Sequence, residues 1–242
     1  MEDLLWKLPL FDDLYLSMQG QNIMLVDSYL RNFESSLRTQ LFEMERTPVA
    51  SALFVSALSQ MWIFAAYELL RTWRQRVQDL KRQAQQPQKP AVQRGSPLRQ
   101  LWELTWQEEL RKLQKNKNYA TELDEAYAKV EPLFRRIEAL RMNLAKHEVP
   151  KRSQRALAPG YGRIDGFDGS IYWQVDLGDN FVDIVSRRSL ADHLRGIVIG
   201  HVLEGDNAEA DDDGETDLVP KRKTRKRKTR KRKTRQRKTH KK

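Results

Sequence analysis

Residues 119–147 read YATELDEAYAKVEPLFRRIEALRMNLAKH, and their apolar positions decide the fold class. Leu123, Tyr127, Val130, Phe134, Ile137, Leu140 and Leu144 recur at steps of three and four residues. That period puts them on one face of an α-helix. Pro132 has no amide hydrogen for the helical ladder, so it is expected to kink or divide the segment. The KNKN run at 115–118 is the turn that precedes it.

Working upstream, the same period returns. Met24, Leu25, Tyr29, Phe33, Leu37, Leu41 and Met44 predict a helix from about Asn22 to Arg46. Thr47-Pro48 is a cap followed by a proline at the first helical position, and the helix it starts runs to about Ala84. No charge falls in the twenty residues from Pro48 to Tyr67. That length would span a membrane, but Ser51, Ser56, Ser59 and Gln60 interrupt it and it continues directly into the charged 68–84 region. The expectation is a core helix buried on most sides, with no membrane partner. A Gln/Pro loop at 85–95 leads to Ser96-Pro97, which opens a helix with Leu98, Trp102, Trp106, Leu110 and Leu113 as its stripe.

Working downstream, the period changes to two. Ile171, Trp173, Val175 and Leu177 alternate within residues 170–177, Gly178-Asp179-Asn180 is a turn, and FVDIV at 181–185 is the return strand. Tyr161 to Asp165 is a candidate third strand before the Gly166/Gly169 turn, and residues 186–200 read as a short helix. The fold class is therefore mainly α: a helical bundle carrying a small antiparallel β-hairpin, with a disordered charged C-terminal tail. The expected organisation is an irregular N-terminal arm at 1–21, a helical domain at 22–150, the hairpin and short helix at 151–203, an acidic linker at 204–220 and a basic tail at 221–242.

Charge is distributed unevenly. The 242 residues are 39% apolar and 32% charged, with a net charge of +11. The tail KRKTRKRKTRKRKTRQRKTHKK holds 16 of the 44 lysines and arginines, and residues 204–220 hold eight of the 33 carboxylates and no lysine or arginine. Residues 1–203 are left with only +3. Neither charged segment has the apolar content to fold alone. The tail has the composition of a non-specific polyanion binder acting through counterion release, with Lys221, Arg222, Lys223, Arg225, Lys226, Arg227, Lys228, Arg230, Lys231, Arg232 and Lys233 as its contacts. It has no aromatics to stack on bases. Three other readings stay open: a solvated extension, self-neutralisation by the acidic segment, and a nuclear localisation signal. The chain has no cysteine, which excludes disulfides and thiolate metal sites and fits a reducing, cytoplasmic compartment. The N-terminus MEDLLWKLPLFDDL lacks the basic start and apolar run of a signal peptide.

The candidate chemistry lies at Arg141-Met-Asn-Leu-Ala-Lys-His147. With Ile137 as the zero of a helical wheel at about 100° per residue, Arg141 falls near +40°, Leu144 near −20° and His147 near −80°. Arg141 and His147 therefore flank the apolar seam, about 9 Å apart along the axis. A guanidinium and an imidazole at that distance can both reach one phosphate. Asn143, four residues before His147, is placed to orient the imidazole. Histidine titrates near neutrality and can move the proton of a ribose 2′-hydroxyl, while arginine stabilises charge on phosphoryl oxygens. Such a set suits RNA cleavage without a metal or other cofactor, leaving a cyclic phosphate.

This stretch resembles the signature of the HEPN superfamily of helical domains: Arg, four to six residues, then His, late in a helix. Here the gap is five residues, and the polar Asn143 stands two places after Arg141. The resemblance covers roughly residues 47–150 as a helical arrangement. It implies a metal-independent endoribonuclease with Arg141 and His147 as its working pair, and a homodimer whose two motifs face each other. The spacing alone does not single out Arg141, because Arg188–His193, Arg195–His201 and Arg235–His240 share it. The alternative is structural: Arg141 pairs with a carboxylate such as Glu138, and His147 favours the helix C-terminus as a cation. On that reading the protein is a non-enzymatic helical interaction module with a nucleic-acid-binding tail. Lys151, Arg152, Arg155, Arg163, Arg187 and Arg188 around the hairpin read as a charged rim, because Asp165, Asp168, Asp176, Asp179 and Asp183 are interleaved. Trp62, Trp73, Trp102 and Trp106 read as core or dimer interface. No glycine-rich phosphate loop, serine elbow or paired-histidine metal helix is present, and Asp211-Asp212-Asp213 does not by itself enclose an ion.

Overall fold

The computed structural model describes residues 8–86, 97–146, 161–177 and 182–199. The chain divides into two units, Met1–Val202 and Leu203–Lys242. The acidic linker and the basic tail belong to the second and lie outside the described residues. The first is mainly helical: α1 (Leu14–Met44), α2 (Val49–Ala84), α3 (Pro97–Lys115) and α4 (Lys117–Lys146), then β1 (Arg163–Ile164), β2 (Ile171–Asp176), β3 (Val182–Ser186) and α5 (Arg187–Ile199). The strands form one antiparallel sheet in the order β1-β2-β3, with Trp173 opposite Val185 and Ile164 opposite Ile171.

α2 is the axis. It packs against α1, α3 and α4. Trp62, Ile63, Leu70, Trp73, Val77 and Leu80 line its buried side, and Val130, Ile137 and Leu140 of α4 are equally buried. The seam read from residues 119–147 is thus the core face of α4. The helix is not divided at Pro132, which lies inside one continuous element. Leu133, Phe134 and Ile137 just beyond it are buried, and that packing offsets the missing ladder hydrogen bond. Ile171, Trp173 and Val175 of β2 turn inward as their alternation predicts, whereas Leu177 lies past the strand end and is exposed.

Three expectations are corrected. The arm at 1–21 does not stay irregular: α1 begins at Leu14, capped by the Asp13 carboxylate, which accepts from the Leu16 amide at 3.0 Å. Leu8, Leu10 and Phe11 ahead of it are buried, and Trp73 Nε1 donates to the Pro9 carbonyl at 2.8 Å. The apolar stripe assigned to α1 is only partly the core stripe. Met24 and Leu37 face inward, but Leu25, Tyr29, Phe33 and Met44 are exposed. The buried stripe runs Leu16, Gly20, Ile23, Asp27, Leu30, Glu34 and Leu37. Two carboxylates hide it from a hydropathy reading. Finally, α2 is not buried on most sides: 28% of its most apolar window is buried. By length and composition it is a helix that could cross a membrane.

Candidate functional site

Arg141 sits where the wheel places it. Ile137, Leu140 and Leu144 are buried and turn α4 so that Arg141 emerges at the edge of the core, half-buried. Its guanidinium carbon lies 4.9 Å from the centroid of the Tyr67 ring on α2. Tyr67 in turn stacks on Phe134 at 5.5 Å. The Nη1 of Arg141 donates to Met142 Sδ at 3.2 Å, and its buried Nε has no hydrogen-bond partner. Among the described residues no carboxylate pairs with it, so the expected Glu138 pair is not formed. Asn143 is half-exposed one turn before the described residues end at 146. His147 lies outside them, as do Lys151, Arg152, Arg155 and the tail contacts from Lys221 to Lys233.

The other arginines of the repeated spacing are engaged differently. Arg188 Nε donates to Glu34 Oε2 at 2.9 Å and stands 3.4 Å from Asp168. Arg195 Nη2 reaches Asp27 Oδ2 at 2.5 Å. Both guanidiniums are committed to carboxylates. Arg141 is held by an aromatic face and a thioether, neither of which neutralises its charge. That difference is chemical, and spacing could not reveal it.

The basic rim around the hairpin also resolves. Arg187 is wholly buried, with Nε donating to Glu34 Oε1 at 2.9 Å and Nη1 bonded to Asp27. Asp27 further accepts from Arg31 at 3.1 Å, and Arg31 bonds Asp192. Arg31, Arg187, Arg188 and Arg195 thus meet Asp27, Glu34, Asp168 and Asp192 with no net charge. This network joins α1 to α5 and presents no free basic face. Of the six rim residues, Arg163 is exposed beside the Tyr161 ring, at 5.7 Å.

An open groove of about 1050 Å³ runs beside α4, lined by Pro132, Arg135, Arg136, Met142, Asp176 and neighbours. Arg135 is paired with Glu131 and Arg136 with Asp183, and the carboxylates of Glu138 and Asp176 also line the groove, so neither arginine offers an uncompensated charge there. Among the described residues no three histidine or carboxylate side chains gather to hold a metal ion.

His193 of α5 is half-buried near Arg136. Burial first, and the Arg136 charge second, hold it below its ordinary value of 6.5. The fold therefore favours the neutral imidazole. The sign follows: this preference supports the fold above pH 6.5 and is lost as pH falls below it toward the lowered value. The urea midpoint is expected to drop between pH 7 and pH 5, and the drop to be smaller in His193→Gln. Equal drops in both proteins would assign the pH dependence to other groups.

Trp62 and Trp73 are core residues, Trp62 Nε1 donating to the Ile23 carbonyl at 3.0 Å. Trp102 is exposed and stacks on Trp106 with ring centroids 5.6 Å apart. Comparison of the chain with family models, with curated proteins and with solved structures returns no match.

Proposed function

We propose that the end of α4 binds an RNA phosphate through Arg141, and that Arg141, Asn143 and His147 form a metal-independent endoribonuclease site of the HEPN kind. The observation that supports this is the state of Arg141. Three arginines with the same spacing to a histidine lie among the described residues, and Arg141 is the one without a carboxylate partner there. A guanidinium at a core edge, anchored on an aromatic ring and uncompensated, is a receptor for a phosphoryl oxygen. His147 would take the 2′-hydroxyl proton, and the attacking 2′-oxygen would displace the 5′-oxygen, which takes up a proton from the imidazolium or from water to leave as a 5′-hydroxyl beside a 2′,3′-cyclic phosphate. The basic tail adds salt-sensitive affinity without reading sequence.

Mixed RNA incubated with the full chain in EDTA tests this. Cleavage to cyclic-phosphate ends is expected, and Arg141→Ala is expected to slow it by about 10²–10³-fold, as for loss of one charge-stabilising donor. His147→Ala is expected to abolish it. Absence of cleavage, or equal cleavage by wild type and both variants, would remove the enzymatic reading.

The stacking of Arg141 on Tyr67 favours a second reading, in which Arg141 is a structural clamp between α4 and α2 and the protein is a non-enzymatic helical module. RNA binding would then reside in the tail. Deletion of residues 221–242 would abolish binding and its salt dependence on this reading, and would spare cleavage on the first.

A further inference from the structure

Among the described residues nothing covers the apolar outer face of the α1–α2 hairpin, and we infer that it is the seat of a second copy of this chain. Among the described residues nineteen large hydrophobic side chains are exposed, and thirteen of them belong to α1 and α2. The other six are spread over α3, the sheet and its turns, so the concentration is local. Val26, Tyr29 and Phe33 recur at helical spacing along α1, and Leu53, Phe54 and Met61 along α2. Phe33 meets Phe54 edge-on, with centroids 5.4 Å apart, which joins the two stripes into one face. The charged residues of this part of α1, Asp27, Arg31 and Glu34, turn away from it toward α5.

The size is that of an interface. These six side chains are between 41% and 67% exposed. Together they present roughly 700 Å², near the ~800 Å² per partner of a standard stable association and above the ~300–600 Å² patches usual on monomers.

The α2 stripe is also self-complementary. A two-fold axis through Ala57 makes an antiparallel pair in which residue 57+k faces residue 57−k. Met61 then faces Leu53, Phe54 faces Gln60, and the exposed Ala50 faces Phe64, which is partly buried against the core. An isologous contact needs this match of a surface with itself. Two hairpins meeting face to face complete a four-helix bundle.

A lipid surface fits less well. The uncharged part of α2, residues 49–67, is about 28 Å long, close to a ~30 Å hydrocarbon core, but Trp62, Ile63, Ala66 and Leu70 on its other side are buried in the bundle and are not free to meet lipid. The face also lies one helix diameter, ~10 Å, from the buried ion pairs behind α1. The inference does not depend on RNA cleavage: no residue of 141–147 takes part, so this contact is a different one from the motif-to-motif dimer that the family resemblance implies.

The test uses the full chain. Sedimentation equilibrium over a dilution series is expected to give a dimer. Leu53→Glu/Met61→Glu is expected to weaken it by roughly 100-fold or more with an unchanged helical circular-dichroism spectrum, since four charges would enter one buried face. Should that variant misfold, Ala57→Cys decides, because the chain has no other cysteine. Mild oxidation is expected to give a disulfide-linked dimer, whereas Glu125→Cys on the exposed side of α4 stays monomeric. A chain that sediments as a monomer throughout would overturn the inference. So would a dimer indifferent to the charged pair, equal crosslinking at both cysteines, or a monomer that floats with phosphatidylcholine vesicles.

Discussion

The Arg187→Met variant is expected to lose about 3–5 kcal/mol of folding stability, the usual cost of removing one partner from a buried charge pair. Arg187, Asp27 and Glu34 are all fully buried. Without Arg187, Glu34 keeps Arg188, and Asp27 keeps Arg31 and Arg195, but each carboxylate loses the contact that lies deepest. The guanidinium also sits 5.7 Å from the Trp62 ring, so methionine keeps part of the packing and isolates the charge effect. Urea unfolding followed by circular dichroism measures the loss. Asp27→Asn in the Arg187→Met background is expected to cost less than the two single losses combined, because the second change removes a charge the first has stranded. Additive losses would mean that Asp27 and Arg187 do not act as a pair. Arg71→Met serves as the surface control. Its partner Glu68 is half-exposed, and the midpoint should not move.

Gly169→Ala is expected to be comparably damaging, for a steric reason. Gly169 has φ +77°, a left-handed conformation that L side chains rarely adopt. A Cβ there would strike the main-chain carbonyl of Glu34, with the carbonyl carbon at 2.8 Å and Arg38 Cβ at 3.0 Å. Backbone cannot rotate aside as a side chain can, so the whole turn must lift from α1. That turn is tied by Gly169 N to Asp165 O and Asp165 N to Ser170 O, both 2.8 Å. It also carries Asp168, a partner of Arg188. The left-handed strain alone is ~1–3 kcal/mol, and the overlap adds to it. Gly166→Ala is the matched control, since a Cβ there meets nothing within 4 Å. If both alanines leave the urea midpoint unchanged, the turn does not pack on α1 as described.

Regular elements were legible because period is a local signal. α4, the hairpin and α5 lie within a few residues of where spacing put them. The α1 error has a specific cause. A helix with two apolar faces offers two stripes, and the outer one carries Tyr29 and Phe33 whereas the inner one contains Asp27 and Glu34. Hydropathy prefers the wrong stripe. Two carboxylates seven residues apart, in step with Ile23, Leu30 and Leu37, were the available clue. Their partner Arg187 could not be named, since nothing local links it to a residue 153 positions earlier. At the candidate site the sequence placed Arg141 beside the seam but could not supply Tyr67 as its neighbour. It could not distinguish Arg141 from Arg188 and Arg195 either, because the carboxylates that engage those two lie on α1 and on the turn before β2.

The union of α1 with α5 also sets a clock on synthesis. Glu34 is translated 153 residues ahead of the arginine that compensates it. At ~5–20 residues per second, the nascent α1 waits roughly 8–30 s with Glu34 lacking its partners and Asp27 met only by Arg31 of the same helix. During that interval the stripe cannot be dehydrated cheaply, so α1 stays hydrated beside the ribosome while the α2 segment follows it out. Dehydration of the α1 core stripe is therefore expected only once α5, which carries Arg187, Arg188 and Arg195, has been made.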